Sequence, residues 1–313
     1  MAADRFRVWV ERMPPSVELP DDVVLVSSLD DADGAVVGAG DLWDSDACRR
    51  FPRLKVVARS GIGYDNVMVG ELAEHGVAVC NAPDAPTVST AEHALALMLG
   101  VTKYLVPNAL RLRAGLGDYA VANRGVELAG LTLGLVGCGR IGARVGRYCE
   151  VLGMTVLVSD PFVARADVGT LVDLNELWAR SDVVSLHAPA TPETRHLVDR
   201  DSLALMKPGV VIVNCARGSL VDHDALLAAL ETGHVFGAGL DVTEPEPLPV
   251  EHPLLHRDDV IVTPHVASST TVGKVRLVEH ALDQVVTWLR GGQPVHLLDV
   301  TVLDPALDRR RRC

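Results

Sequence analysis

The segment Gly137-Cys138-Gly139-Arg140-Ile141-Gly142 has glycines at G-x-G-x-x-G spacing, between the apolar run LTLGLV and a helical pattern. Glycines placed this way make a tight turn and bare the backbone. N–H groups at the N-terminus of the following helix can then stabilise a pyrophosphate. Asp160 closes the next apolar run, MTVLVSD. A carboxylate there accepts hydrogen bonds from a ribose 2′-hydroxyl and repels a 2′-phosphate. Strand, loop, helix, strand and acid together point to a dinucleotide, NAD rather than NADP. Gly137, Gly139, Arg140, Ile141, Gly142 and Asp160 would lie at it.

Further along, polar residues stand where apolar runs end: Arg217 after VVIVNCA, Asp241 and Glu246 after VFGAGL, and His265 after VIVTP. Ligands of open α/β sheets bind beyond the carboxyl ends of the strands, so these positions are nominated without reference to any relative. A guanidinium keeps its charge and grips a carboxylate as a fork. An imidazole exchanges a proton near neutrality, and a carboxylate can hold its ring. The set suits a 2-keto acid: Arg217 for its carboxylate and carbonyl, His265 to give the oxygen a proton as a hydride reaches carbon, and Glu246 beside the ring. His187, which ends DVVSLH, competes with His265, and spacing alone does not choose between them.

These residues need a scaffold of strands. RVWV, DVVLVSS, GAVVGAG, LKVVARS and GVAVCN read as strands of a first α/β region from Arg5 to Asn81. Ser89 to Arg113 reads as a long connecting helix interrupted near Pro107. A β-then-helix rhythm follows, with strands LTLGLVG, MTVLVSD, DVVSLHAP, GVVIVNCARG, VFGAGLDV and DVIVTPH. Helix DHDALLAALETG has Asp222 placed as N-cap and Gly233 as its stop, and a last helix runs near Thr271 to Leu289.

Length, at 313 residues, allows two domains. Hydrophobic residues make up 48% and aromatics 4%, a Val-, Ala- and Leu-rich profile that fits buried parallel strands. The net charge of -12 argues against nucleic acid, and the basic run Arg309 to Arg312 reads as a solvated tail. Six scattered cysteines indicate neither zinc nor disulfides and fit a reducing cytoplasm. No run approaches the roughly 18 apolar residues of a spanning helix, so no membrane is expected.

The motifs LKVVARSGIGYDNV, VAVCNAPDAPTVSTAEHALALML, GLVGCGRIG, DVVSLHAPATPET, MKPGVVIVNCARGSLVD, GAGLDVTEPEP and VIVTPHVAS occur in order over most of the chain. In this the chain resembles the NAD-dependent D-isomer-specific 2-hydroxyacid dehydrogenases. The resemblance implies a catalytic set of Arg217, Glu246 and His265. Glu244 shares the TEPEP segment with Glu246, and the family's spacing favours Glu246. It further implies cofactor contacts at Ala188, Pro189, Cys215, Ala216 and Asp241, the last to the nicotinamide carboxamide. Substrate contacts would come from Ser60, Gly61, Ile62 and Arg217, the loop through backbone N–H groups.

The implied fold is an α/β Rossmann-type doubly wound parallel sheet for NAD inserted into a smaller flavodoxin-like α/β substrate domain. Expected boundaries are 1–99 for the first part of the substrate domain, 100–284 for the NAD domain, and 285–313 for the return and basic tail. A homodimer joined through the nucleotide domain, a small 2-hydroxy or 2-keto acid substrate, and no metal are also implied. Two alternatives are retained. One is 3-phosphoglycerate dehydrogenation, for which Arg59 matches a phosphate-binding position although Glu74-His75 replaces its later basic partner. The other is an NAD(H)-sensing, corepressor-like interaction protein.

Overall fold

The computed structural model describes residues 5–298. The basic run Arg309 to Arg312 lies outside the described residues. Two compact units result: the chain up to Pro86 with the chain from Ser269 onward, and Thr87–Ser268.

In the first unit lie β1 (Phe6–Val10), β2 (Val23–Leu25), β3 (Gly34–Val37), α1 (Ser45–Arg50), β4 (Val56–Arg59), α2 (Val69–Glu74) and β5 (Ala78–Asn81). The second carries α3 (Thr87–Thr102), α4 (Leu105–Arg113), α5 (Tyr119–Ala122), β6 (Thr132–Val136), α6 (Arg140–Val151), β7 (Thr155–Ser159), β8 (Thr170–Leu171), α7 (Leu174–Arg180), β9 (Val183–Leu186), α8 (Arg200–Leu205), β10 (Val210–Asn214), α9 (His223–Glu231), β11 (Val235–Leu240) and β12 (Val260–Val262). α10 (Thr271–Leu289) and β13 (Leu297–Leu298) return to the first.

Among the described residues the first sheet runs β13-β5-β4-β3-β1-β2, parallel except where β13 pairs antiparallel with β5. Its parallel part has the flavodoxin-like order. Val36, Val56 and Ala58 on one face meet Val278, Leu282 and Val285 of α10, and Gly34 leaves room for that helix. The second sheet runs β12-β11-β10-β9-β6-β7-β8, all parallel. This is the doubly wound order, with its reversal between β6 and β9. β9 and β10 are buried along their whole length because both faces are covered, which is why they read as continuous apolar runs.

Three details differ from expectation. The long connecting helix breaks at Tyr104, in the left-handed region at φ 54°, and restarts as α4. Pro107 then sits in the first turn of α4, where its missing N–H has no helical partner to lose. The two-residue β8 extends the second sheet and is too short to carry a periodic signal. The units divide at Pro86/Thr87 and Ser268/Ser269, whereas the expected boundaries fall inside α3 and α10. Each helix packs within one unit, α3 with α6, β10 and β11 and α10 with β3 and β4, so contacts keep it undivided.

Candidate active site

At the reversal point, Gly137 follows β6 with φ 91°, a conformation costly for a side chain. A Cβ there would stand 2.8 Å from the His187 carbonyl after β9, so the glycine lets the two loops touch. A Cβ on Gly142 would collide with the Gly137 carbonyl oxygen. Gly139 is different: it is the N-cap of α6, makes no side-chain cap, and a Cβ on it would meet no protein atom within 4 Å. Open space therefore faces the N-terminal N–H groups of a twelve-residue helix, which is the cradle a pyrophosphate fits. Arg140 and Ile141 open that helix. Asp160 accepts the N–H of Cys138 at 2.8 Å and that of Phe162 at 2.9 Å, and so holds the loop while standing at the end of β7.

His187 lies under this loop. Its Nε2 is 2.9 Å from Ser185 Oγ, and its N–H donates to Val136 O at 2.8 Å. Burial pushes its imidazole from 6.5 down to about 4, so it stays neutral. Ala188 follows against Gly137, and Pro189 O accepts from Thr194 Oγ1 at 2.7 Å.

Three loops at the carboxyl ends of β10, β11 and β12 carry the polar set. Buried Asn214 shapes the first: its Oδ1 accepts from Ala216 N at 2.9 Å and its Nδ2 donates to Arg217 O at 2.8 Å. Arg217 Nη1 donates back to Ala216 O at 2.7 Å. The next residue must be glycine, because a Cβ on Gly218 would collide with the Thr243 carbonyl of the loop after β11. Cys215 precedes this turn, and burial with the nearby Asp241 charge pushes its thiol up.

The loop after β11 separates its two glutamates. Glu244 pairs with Arg195 at 3.0 Å and stands 3.8 Å from His196, while its carbonyl accepts from His223 Nδ1 at 3.0 Å. The Arg195 hydrogen bond holds the Glu244 carboxyl below its ordinary value. Glu246 instead reaches the loop after β12, where its Oε1 lies 2.5 Å from His265 Nδ1. Both side chains of this pair are about a third exposed, so solvent reaches the ring.

His265 takes φ 51°, uncommon for a side chain, and its N–H donates to Asp241 O at 2.8 Å. Asp241 is only 1% exposed, and its carboxylate accepts from Thr263 Oγ1, Val266 N and Ala267 N at 2.6, 2.9 and 2.8 Å. Burial pushes this carboxyl up, but hydrogen bonds from His93, Thr263, Val266 and Ala267 together hold it below its ordinary value. Its oxygens are thus engaged within the protein.

In the first unit, the loop after β4 begins with Ser60, whose N–H and Oγ both donate to Val37 O at 2.8 and 2.9 Å. Gly61 N–H donates to Arg59 O at 2.9 Å, and Asn81 Nδ2 donates to Ile62 O at 2.8 Å. Arg59 Nη1 donates to Ser60 O at 2.7 Å and lies where a Gly61 Cβ would stand.

The second unit thus brings Glu246 and His265 into contact and separates Glu244 and His187 from that pair. Sequence reasoning missed Asn214, Thr263 and His93, whose Nε2 lies 3.0 Å from Thr263 Oγ1. Asn214 was visible inside NCARG, but His93 is 170 residues away from its partner and gave no local signal. No group of three or more His, Cys, Asp or Glu residues among the described residues is arranged to hold a metal ion.

Residues 95–267 match the family described as D-isomer specific 2-hydroxyacid dehydrogenase, NAD binding domain. The chain is 40% identical to the D-3-phosphoglycerate dehydrogenase of Methanocaldococcus jannaschii, over 85% of the chain and 52% of that relative. It therefore spans about half the length of that relative. It is 36% identical to the glyoxylate reductase of Korarchaeum cryptofilum, over 95% of the chain and 90% of the relative. The TT0316 protein of Thermus thermophilus superposes with a TM-score of 0.85 at 36% identity, over 94% of this chain and 100% of that one.

Proposed function

The chain belongs to the D-isomer specific 2-hydroxyacid dehydrogenase family, and from that premise we propose that it moves a hydride between NAD(H) and C2 of a small D-2-hydroxy or 2-keto acid. The observation that carries this reading is the 2.5 Å contact of His265 Nδ1 with Glu246 Oε1 at the carboxyl end of the doubly wound sheet. Bound NADH supplies the hydride. The open N-terminus of α6 and Gly139 would receive the pyrophosphate, and Asp160 would select NAD over NADP by meeting the ribose hydroxyls. Ala188, Pro189, Cys215, Ala216 and Asp241 line the remainder, with Asp241 shaping the wall through the loops it ties.

With Nδ1 donated to Glu246, the Nε2–H of His265 is the proton available to the substrate oxygen. The carboxylate orients the ring and balances the imidazolium charge. Arg217 grips the substrate carboxylate and polarises the carbonyl, and the loop Ser60, Gly61 and Ile62 is proposed as a further substrate contact, chiefly through Ile62 because the Ser60 and Gly61 N–H groups already donate to Val37 O and Arg59 O. In the oxidative direction His265 Nε2 takes the hydroxyl proton. A second reading, oxidation of 3-phosphoglycerate, is favoured by the relative at 40% identity and by Arg59, the last residue of β4, whose guanidinium lies beside Gly61.

We further propose a homodimer in a reducing cytoplasm. α4 carries the exposed Leu105, Val106, Leu110 and Leu112, and the cysteines among the described residues are free. No helix among those residues is long and apolar enough to cross a membrane.

The test is NADH oxidation against glyoxylate, hydroxypyruvate, pyruvate, 2-ketoisocaproate, phenylpyruvate and phosphohydroxypyruvate, with NADPH in parallel. Turnover of one acid with NADH preferred is expected. Tight NADH binding with no turnover of any would overturn the dehydrogenase reading in favour of NAD(H) sensing.

A further inference from the structure

β11 contains Gly237 and Gly239, and α3 lies against them: a Cβ on Gly239 would stand 2.8 Å from Leu97 Cβ, and one on Gly237 2.7 Å from Val101 Cγ1. This close approach delivers His93, on α3, to the carboxyl ends of β11 and β12. His93 Nε2 lies 3.0 Å from Thr263 Oγ1 and 3.4 Å from Asp241 Oδ1. Thr263 has one hydroxyl proton and donates it to Asp241 at 2.6 Å, so its oxygen accepts from the Nε2–H of His93. The Asp241 carboxylate then fastens Val266 and Ala267 on one side of His265, and Thr263 on the other. His265 sits between these fastenings in the left-handed region, a conformation that persists only where the surroundings impose it.

We infer that His93 is a positioning residue for the reaction: through Thr263 and the Asp241 carboxylate it sets the loop Thr263–Ala267 so that His265 meets Glu246 and presents Nε2 to the substrate. The inference rests on the proposed role of His265. Its physical basis is that the loop after β12 hangs from the short β12, so its own strand holds it weakly. A donor from a long helix buried against the sheet gives it a rigid external reference.

The experiment compares wild type with H93L, which removes the donor, and H93Q, whose amide nitrogen can stand in for Nε2. It reads steady-state kinetics and the hydrogen exchange of the Val266 and Ala267 amides. H93L is expected to lower kcat by about tenfold or more while KM for NADH stays within about twofold. The same variant should speed exchange of both amides by about tenfold, and H93Q should recover most of both losses. Thr263→Val removes the bridging hydroxyl at nearly constant volume and should reproduce H93L, which keeps the test valid should H93L fold poorly. Wild-type kcat and exchange in H93L and Thr263→Val, or an H93Q no better than H93L, would overturn the inference. A wild-type chain inactive on every acid, with exchange still following the H93L and H93Q pattern, would instead overturn the functional reading and leave the anchoring intact.

Discussion

His265 Nδ1 engages Glu246, which leaves Nε2 as the working nitrogen, so the two residues have separable effects. His265→Ala should lower kcat by about 100- to 10,000-fold, the range of positioned acid–base catalysis, with NADH affinity nearly unchanged in a fluorescence titration. Glu246→Gln keeps an acceptor for the ring but removes the charge, so a smaller loss of about tenfold or more is expected. A variant of Glu244, which faces Arg195 and His196, should not reproduce it.

His187 gives a stability prediction at the same scale. Its value falls from 6.5 to about 4 on folding, so the unfolded chain binds the proton more readily between those values. Its contribution is complete above pH about 6.5 and is lost as pH falls toward about 4, by roughly 3 kcal/mol at about 1.4 kcal/mol per pH unit. The fall in urea midpoint from neutral to acid pH should therefore be smaller in His187→Gln than in wild type. An equal fall in both would show that His187 does not contribute.

Among elements, the start of α6 and the turn after β10 are the sensitive ones. Gly139→Ala meets no protein atom and has ordinary dihedral angles, so the melting temperature should hold. Its methyl group would occupy the space assigned to the pyrophosphate, so NADH affinity should fall. Gly142→Ala collides with the Gly137 carbonyl and should lose both stability and binding. Equal NADH affinity in Gly139→Ala and wild type would remove the cradle assignment. Gly218→Ala forces the Arg217 loop away from Thr243, and a cost of roughly 1–3 kcal/mol is expected, as for other overpacked sites. Because this contact joins the loop carrying Arg217 to the loop carrying Glu246, kcat should fall with it.

For the whole molecule, the exposed apolar side chains of α4 bear on the proposed assembly, with Leu110 50% and Leu112 63% exposed. Removing such side chains from water contributes roughly 25 cal/mol per Å² of apolar area. The chain should sediment as a dimer at micromolar concentration, and Leu110→Lys with Leu112→Lys should shift it toward monomer. A wild-type monomer would remove the dimer proposal. The net charge of -12 suits a solvated acidic surface better than a polyanion partner.

Much of this protein was legible in sequence because α/β order is written locally. Apolar runs such as VVIVN and VFGAGL mark strands, Asp222 marks a helix start, and whatever follows a strand falls at its carboxyl end. Gly137 to Gly142 with Asp160, and the nomination of Arg217, Glu246 and His265, follow from that. The sequence could not choose between Glu244 and Glu246, or between His187 and His265, because both members of each choice satisfy the same local rule. Only the tertiary structure decided their surroundings. Strand order, with β9 beside β6, puts His187 under the glycine loop, and the path of the loop after β11 turns Glu244 to Arg195 and Glu246 to His265. His93 lay beyond sequence reading altogether, because its role depends on a helix pressing on two glycines of a strand more than a hundred residues away.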